Sequence, residues 1–181
     1  MIDANRDPEF KVTEEHFNNL FETYGNSICV LNLVKNSTKS SETALGWIFK
    51  RFSDSFSNKL KTSFQGPKLR FKWIDFHSIY SKNEQEILVE LQEYARSVVN
   101  SVGIFHYSTF EKVISVQKGV IRVNCIDCLD RTNNAMACIS SFILAQCLLK
   151  INVNDAELID VENTVVKNEL LSILFEIFGV F

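Results

Sequence analysis

The segment from Gly119 to Leu149 most constrains the fold, because it changes character twice over a short distance. The run Gly119 to Val123 is rich in β-branched residues and indicates a strand. A polar stretch follows it. Apolar residues then recur at helical spacing from Ala135 to Leu149. The segment therefore predicts a strand, a loop and a helix in direct succession.

The polar stretch between this strand and helix contains a cysteine and an arginine separated by five residues, Cys125 and Arg131. A loop of this kind aims backbone N–H groups at one point, where a tetrahedral anion can bind. Those groups, the helix N-terminus and Arg131 favour a thiolate at Cys125, which makes it a nucleophile. The guanidinium of Arg131 can hold two phosphoryl oxygens. The spacing alone would match by chance about one time in six, so the strand–loop–helix setting matters.

Five further residues of this segment are predicted to bind the substrate. Ile126, Cys128 and Leu129 belong to the loop whose N–H groups face the anion. Thr132 is expected in the first helical turn, with its hydroxyl able to donate to the cysteine sulfur. Asn124, together with Asn133, is expected to brace the loop.

Two carboxylates in the loop, Asp127 and Asp130, would repel a phosphate dianion if both were ionised and pointed inward. One solution is that one of them is protonated and acts as general acid to the leaving oxygen. Asp127 is preferred for this role. Asp130 can instead orient Arg131 or accept backbone N–H groups.

A further candidate for the general acid follows a predicted strand, at a strand end where loops bearing catalytic groups emerge. Asp75 lies there as an alternative acid or as a turn or cap residue, and His77 is either an accessory residue or hydrogen-bonded scaffold. Seven basic residues against one acid precede Asp75, and they either steer an anionic headgroup or form a solvated face. They are Lys50, Arg51, Lys59, Lys61, Lys68, Arg70 and Lys72.

A metal or redox site is the rival interpretation of Cys125-x-x-Cys128. Zinc is not expected, because the chain offers no second pair of ligands at suitable spacing. Cys29, Cys138 and Cys147 stand alone in apolar stretches and are interpreted as core residues. No cofactor is expected, and a reversible Cys125–Cys128 bridge is a minor alternative.

Residues 122–133, RVNCIDCLDRTN, closely resemble the signature of the Sac-domain phosphoinositide phosphatases, and every fixed position of that signature matches. Supporting matches are Tyr24-Gly25, the run Ile28 to Val34, Asp75-Phe76-His77 and Gln117-Lys118-Gly119. The resemblance implies hydrolysis of a phosphate monoester from the inositol ring of a membrane lipid. It further implies a phosphocysteine intermediate and no metal.

The resemblance runs from about Glu14 to Leu149 and corresponds to part of a Sac domain. The family's separate N-terminal subdomain and a further C-terminal stretch have no counterpart in this chain, and Met136 stands where the family commonly has Gln. The chain is therefore expected to be a truncated catalytic portion, and another chain supplying the missing segments is a candidate partner.

Composition fits one globular domain over residues 1–181, with 46% hydrophobic residues and 15 Phe. Alternating helical and strand patterns predict an α/β fold with a central mixed sheet flanked by helices. An odd number of cysteines without a signal peptide points to the cytosol, with peripheral attachment at the cytosolic face of membranes. Nucleic acid is not an expected partner, since the formal net charge is −3.

The apolar spacing predicts helices at 13–24, 41–60, 83–100, 132–149 and 165–178, and strands at 27–34 and 69–76. Two short strands are expected around Gln117-Lys118-Gly119. The apolar stretches near the C-terminus fall short of the roughly 20 residues that span a bilayer. The leading function is a Sac-type phosphoinositide phosphatase. The alternatives are an impaired fragment that binds phosphoinositide or a partner, and a phosphatase acting on phosphoprotein.

Overall fold

Helices and strands alternate along the chain in the computed structural model, which describes residues 7–37, 40–61, 66–110, 112–127, 129–151, 159–160 and 165–180. The helices are α1 (Lys11–Tyr24), α2 (Ser41–Leu60), α3 (Phe76–Tyr80), α4 (Glu84–Val102), α5 (Asp130–Lys150) and α6 (Asn168–Phe178). The strands are β1 (Ser27–Asn32), β2 (Lys68–Trp73), β3 (His106–Ser108), β4 (Lys112–Ser115), β5 (Gly119–Asn124), β6 (Ile159–Asp160) and β7 (Val165–Val166).

The central sheet has three strands in the order β2-β1-β5, and both pairings are parallel. Every residue of β1 is buried, as expected for the middle strand of a parallel sheet covered on both faces. The predicted α/β class is confirmed. Among the residues that the structure describes, this sheet is parallel and not mixed, because the antiparallel pairs β3–β4 and β6–β7 form separate two-stranded ladders.

The chain divides into two compact units. One comprises residues 1–78 and 101–126, and the other comprises residues 79–100 and 127–181. The core of the first unit is an aromatic cluster contributed by α1 and α2 against the sheet. Its buried phenylalanines are Phe17, Phe21, Phe49, Phe52 and Phe56.

In the second unit, α5 packs with α6 and β7. Ala145 and Val166 are buried there, and leucines of both helices surround them. The surrounding leucines are Leu144, Leu148, Leu170, Leu171 and Leu174. By length and composition alone α5 is also apolar enough to cross a membrane, although 39% of its apolar window is buried within the protein and a core helix meets the same criterion.

Local chemistry explains where the elements begin and end. The α2 helix occupies the predicted span, and its N-terminus is capped because Ser40 Oγ accepts the Glu42 N–H at 3.2 Å. The prediction that β2 extends to Phe76 is wrong: β2 ends at Trp73, and Phe76 begins the short helix α3. The last helix likewise begins at Asn168 and not at 165, because Val165–Val166 pair with β6.

Candidate active site

The cysteine of the motif follows the carboxyl end of β5. Asn124, the last residue of β5, is in register with Asn32 of β1, which is in turn in register with Trp73 of β2. Open α/β sheets bind ligands beyond the carboxyl ends of their strands, and Cys125 lies at that edge. Its side chain is half-buried.

A chain of side-chain hydrogen bonds precedes Cys125. Arg122 Nη1 donates to Asn124 Oδ1 at 3.0 Å, and Asn124 Nδ2 donates to Asn32 Oδ1. Asn32 is only 1% exposed, and its own Nδ2 is buried without a hydrogen-bond partner. A buried amide donor left unpaired costs about 1–3 kcal/mol. Sequence reasoning missed Asn32 and Arg122, although an amide inside the apolar run Ile28 to Val34 was a signal.

The guanidinium of Arg122 is held over two aromatic rings. It lies 5.8 Å from the centroid of Phe17 and 5.5 Å from that of Phe49, within the range of a cation–π interaction. The neighbouring His16 has its pKa lowered, first by partial burial and then by the charge of Arg122. Arg122 is therefore a fixed cation beside the aromatic core.

The remaining motif residues belong to the second unit, since the division falls between Ile126 and Asp127. Asp127 Oδ1 accepts the Leu129 N–H at 3.4 Å and lies 4.0 Å from Arg131 Nη2. The Arg131 side chain is only 17% exposed, whereas that of Asp127 is 53% exposed. The predicted acid and the predicted phosphate clamp are therefore neighbours at the start of α5.

Other residues of the motif occupy distinct environments. Asp130 is the exposed first residue of α5, where a carboxylate interacts favourably with the helix dipole. Thr132 is buried in the first turn, as predicted. The side chains of Ile126 and Leu129 are exposed. Cys128 lies outside the described residues, and with it the predicted Cys125–Cys128 bridge.

The accessory residues lie at and beyond β2. Asp75 follows this strand by two residues, and both its carboxylate oxygens accept backbone N–H groups, from Asn36 at 2.7 Å and from Ser78 at 2.9 Å. This is the cap and turn role that the sequence offered as an alternative. His77 and Lys72 are exposed, and their catalytic or binding roles stay predictions.

Five cations of the basic segment before Asp75 lie in two settings, on α2 and on β2. Lys50 pairs with Asp54, and Lys59 pairs with Glu14. Three others alternate along the edge strand β2, are exposed and share one face of it. They are Lys68, Arg70 and Lys72.

The cysteines outside the motif lie in less reactive surroundings. Cys29 is completely buried in β1, and burial raises the pKa of the Cys138 thiol to about 11. Burial also raises the pKa of Cys147, against a smaller opposing effect of Lys150. Within the described part of the chain, no three His, Cys, Asp or Glu side chains group as a metal site.

Comparison with known proteins places the chain in a family. The profile of the SacI homology domain matches residues 1–81, a region that ends before the motif. The chain is 32% identical over 164 residues to the polyphosphoinositide phosphatase of Schizosaccharomyces pombe, a match that covers 89% of this chain and 19% of that relative. It is 33% identical over 138 residues to phosphatidylinositol-3-phosphatase SAC1 of Drosophila melanogaster, covering 76% and 22% of the two chains.

The chain belongs to the Sac-domain family, and it spans about a fifth of the length of these two relatives. A further relative, the phosphoinositide phosphatase SAC4 of Arabidopsis thaliana, is 26% identical over 211 residues and covers 88% of this chain and 25% of its own length. That alignment is longer than the 181 residues of this chain. The plant protein therefore has residues inside the matched region that this chain lacks.

Proposed function

We propose that this chain is a phosphoinositide phosphatase that removes a phosphate from the inositol ring through a phosphocysteine intermediate. The observation that carries the proposal is the motif itself, in which Cys125 follows a parallel strand and Arg131 stands in the first turn of a long helix. The printed names of the relatives support the substrate class. Because that substrate is a membrane lipid, we expect peripheral attachment at the cytosolic face of a membrane.

The first chemical step joins the cysteine to the phosphoryl group. The Cys125 thiolate attacks phosphorus, a P–S bond forms, and the bond between phosphorus and the inositol oxygen breaks. Arg131 binds two phosphoryl oxygens and neutralises the charge that spreads over them. The leaving inositol oxygen takes a proton from the general acid and departs as the free hydroxyl.

The second step releases inorganic phosphate. Water attacks the phosphorus of phosphocysteine, the P–S bond breaks, and the thiolate is regenerated. The carboxylate that gave its proton in the first step now accepts one from this water. Thr132 is proposed to donate its hydroxyl to the sulfur as the thiolate re-forms. No metal takes part in this scheme.

Asp127 is the preferred general acid, and its surroundings support the choice. Its carboxylate now interacts with the guanidinium of Arg131 and the N–H of Leu129, donors that an incoming phosphate would also use. A phosphate bound there would place negative charge beside Asp127, which favours its protonated form. Protonated Asp127 can then donate this proton to the leaving inositol oxygen.

The test measures phosphate release from short-chain phosphoinositides by wild type, Cys125→Ser and Arg131→Lys. Cys125→Ser should bind the lipid but release no phosphate, and Arg131→Lys should lower kcat about a hundredfold, because lysine cannot form the two-pronged contact. Release by Cys125→Ser at the wild-type rate would refute the mechanism. A phosphotyrosine peptide in the same panel tests the phosphoprotein alternative.

The second candidate function is a binding module that holds phosphoinositide without turnover. The observation that favours it lies inside the matched region, where the plant relative has residues that this chain lacks. In a protein with turnover, those residues or a partner chain would orient the substrate. Equal lipid binding by wild type and Cys125→Ser, with no phosphate released by either, would select this function.

A further inference from the structure

We infer that Asn32 and Arg122 are positioning residues that hold Asn124, and through it fix the point at which Cys125 enters the loop. The inference rests on the proposed function of Cys125 as nucleophile. The three residues are called the amide relay below. They lie on β1 and β5, which pair in parallel, and all belong to the same compact unit as Cys125.

The direction of the relay is set by its first member. A guanidinium has only donors, so the atom of Asn124 that Arg122 contacts must be the carbonyl oxygen. The amide nitrogen of Asn124 therefore faces Asn32, which must present its own oxygen to it. Both amide orientations thus follow from Arg122, whose guanidinium lies over the rings of Phe17 and Phe49.

The backbone of Asn124 is held by the same strand. The Leu33 N–H donates to the Asn124 carbonyl oxygen at 2.8 Å. That carbonyl belongs to the peptide group joining Asn124 to Cys125, and the peptide is trans. In a trans peptide the N–H points opposite to the C=O, so the Cys125 N–H points away from β1. Side chain and backbone together fix both the position and the direction of the residue before the nucleophile.

Stability alone does not explain an amide at position 32. Every residue of β1 is buried, and Asn32 carries an Nδ2 donor that finds no partner. A leucine, whose side chain branches at the same carbon, would carry no unpaired donor of its own, but it would leave the Asn124 Nδ2 without its acceptor. The amide is therefore retained for the hydrogen bond that its oxygen accepts from Asn124.

The test is a double-mutant cycle with Asn32→Leu, Asn124→Leu and the double variant. The main measurement is the alkylation rate of Cys125 against pH, resolved by mass spectrometry, which requires no turnover. Each single variant should slow alkylation at pH 7 about tenfold, and the double variant should be no slower than either single one. On short-chain phosphoinositide, kcat should fall about tenfold with KM changed less than threefold.

The matched control is Ser53→Ala on α2, which removes another buried polar atom without a hydrogen-bond partner, the Ser53 Oγ, and no member of the relay. It should leave Cys125 alkylation and kcat unchanged. If Asn32→Leu does not fold, Asn32→Ser, whose hydroxyl is too short to reach Asn124, should give the same tenfold loss.

Alkylation within twofold of wild type in a folded Asn32 variant would overturn the inference. So would a hundredfold, additive loss in the double variant, because independent sites and not a relay would then be at work. A wild-type chain that releases no phosphate would count against the proposed function alone. The alkylation rates of the double-mutant cycle would still show whether the relay positions Cys125.

Discussion

Gly119 and Ser27 face each other at the start of the β1–β5 ladder, so closely that a Cβ on Gly119 would lie 1.8 Å from the carbonyl oxygen of Ser27. The obstacle is backbone in the middle strand, which cannot move without disturbing the sheet. This glycine permits the pairing that brings β5, and hence Cys125, beside β1.

Gly119→Ala should therefore lower the free energy of unfolding by about 3 kcal/mol, at the upper end for an overpacked site. Urea denaturation measures the change. Gly179→Ala is the matched control. Its Cβ would meet only Asn133 Nδ2 at 4.0 Å, and its φ of 62° makes an alanine strained by about 1 kcal/mol. Equal losses in the two variants would contradict the proposed role of Gly119.

Asp127→Asn should reveal whether this carboxyl is the general acid. On phosphoinositide, whose alkoxide leaving group needs a proton, kcat should fall by about 10²–10⁴-fold. On p-nitrophenyl phosphate, whose leaving group is stable as an anion, the loss should be much smaller. Steady-state kinetics on the two substrates provides the comparison.

Asp130→Asn and Asp75→Asn undergo the same two-substrate comparison. A leaving-group effect in either of them, and not in Asp127→Asn, would reassign the acid. Asp54→Asn, which breaks only the exposed pair with Lys50 on α2, is the control and should behave as wild type on both substrates.

Asp75→Ala should destabilise the fold by about 0.5–2 kcal/mol, the usual cost of losing a capping side chain. Both oxygens of Asp75 accept backbone N–H groups, and one of these groups lies in the loop after β1. Urea denaturation again gives the value. An unchanged urea midpoint would show that water replaces these bonds without cost.

Thiol labelling should separate the cysteines. At pH 8, a thiol with a pKa of about 11 is ionised to roughly one part in a thousand, so Cys138 should resist iodoacetamide in the folded protein. Cys125, which is half-buried and follows the carboxyl end of β5, should be modified first. Mass spectrometry of timed samples tests this, and labelling in denaturing urea should remove the difference. Equal rates in the folded state would contradict it.

Stability should fall on mild acidification because of His16. Its pKa is lowered in the folded chain, first by burial and then by Arg122, so the unfolded chain binds the proton more tightly. The stabilising contribution is complete well above pH 6.5 and is lost as the pH falls through 6.5 towards the folded pKa. His16→Gln should flatten this dependence. Urea midpoints between pH 8 and 5 measure it, and parallel curves for the two proteins would refute it.

Local sequence patterns predicted the main elements well. The α2 helix spans residues 41–60 as expected, because an apolar stripe and a serine cap act within the segment itself. The apolar run from Ile28 likewise predicted a buried strand, and Thr132 lies in the first turn of its helix. In each case the determining interactions are close in sequence.

Features that depend on residues distant in the chain could not be predicted from the sequence. The hydrogen bond between Asn32 and Asn124 joins positions 92 residues apart, and no local sequence pattern predicts it. The end of β2 was missed for a related reason, since Asp75 bonds both to Ser78 and to Asn36 across the fold. The closeness of Asp127 to Arg131 also could not be predicted, because Asp127 precedes the first residue of α5 and the helical spacing of four residues does not apply to it.

The parallel arrangement of β1 and β5 also bears on how the chain reaches its native state. These strands can join only after the intervening residues have closed into a large loop, which costs chain entropy before any strand contact forms. During synthesis, β1 therefore cannot pair with β5 until residue 124 has left the ribosome. A nascent chain halted before that point would leave an apolar strand edge exposed to chaperones.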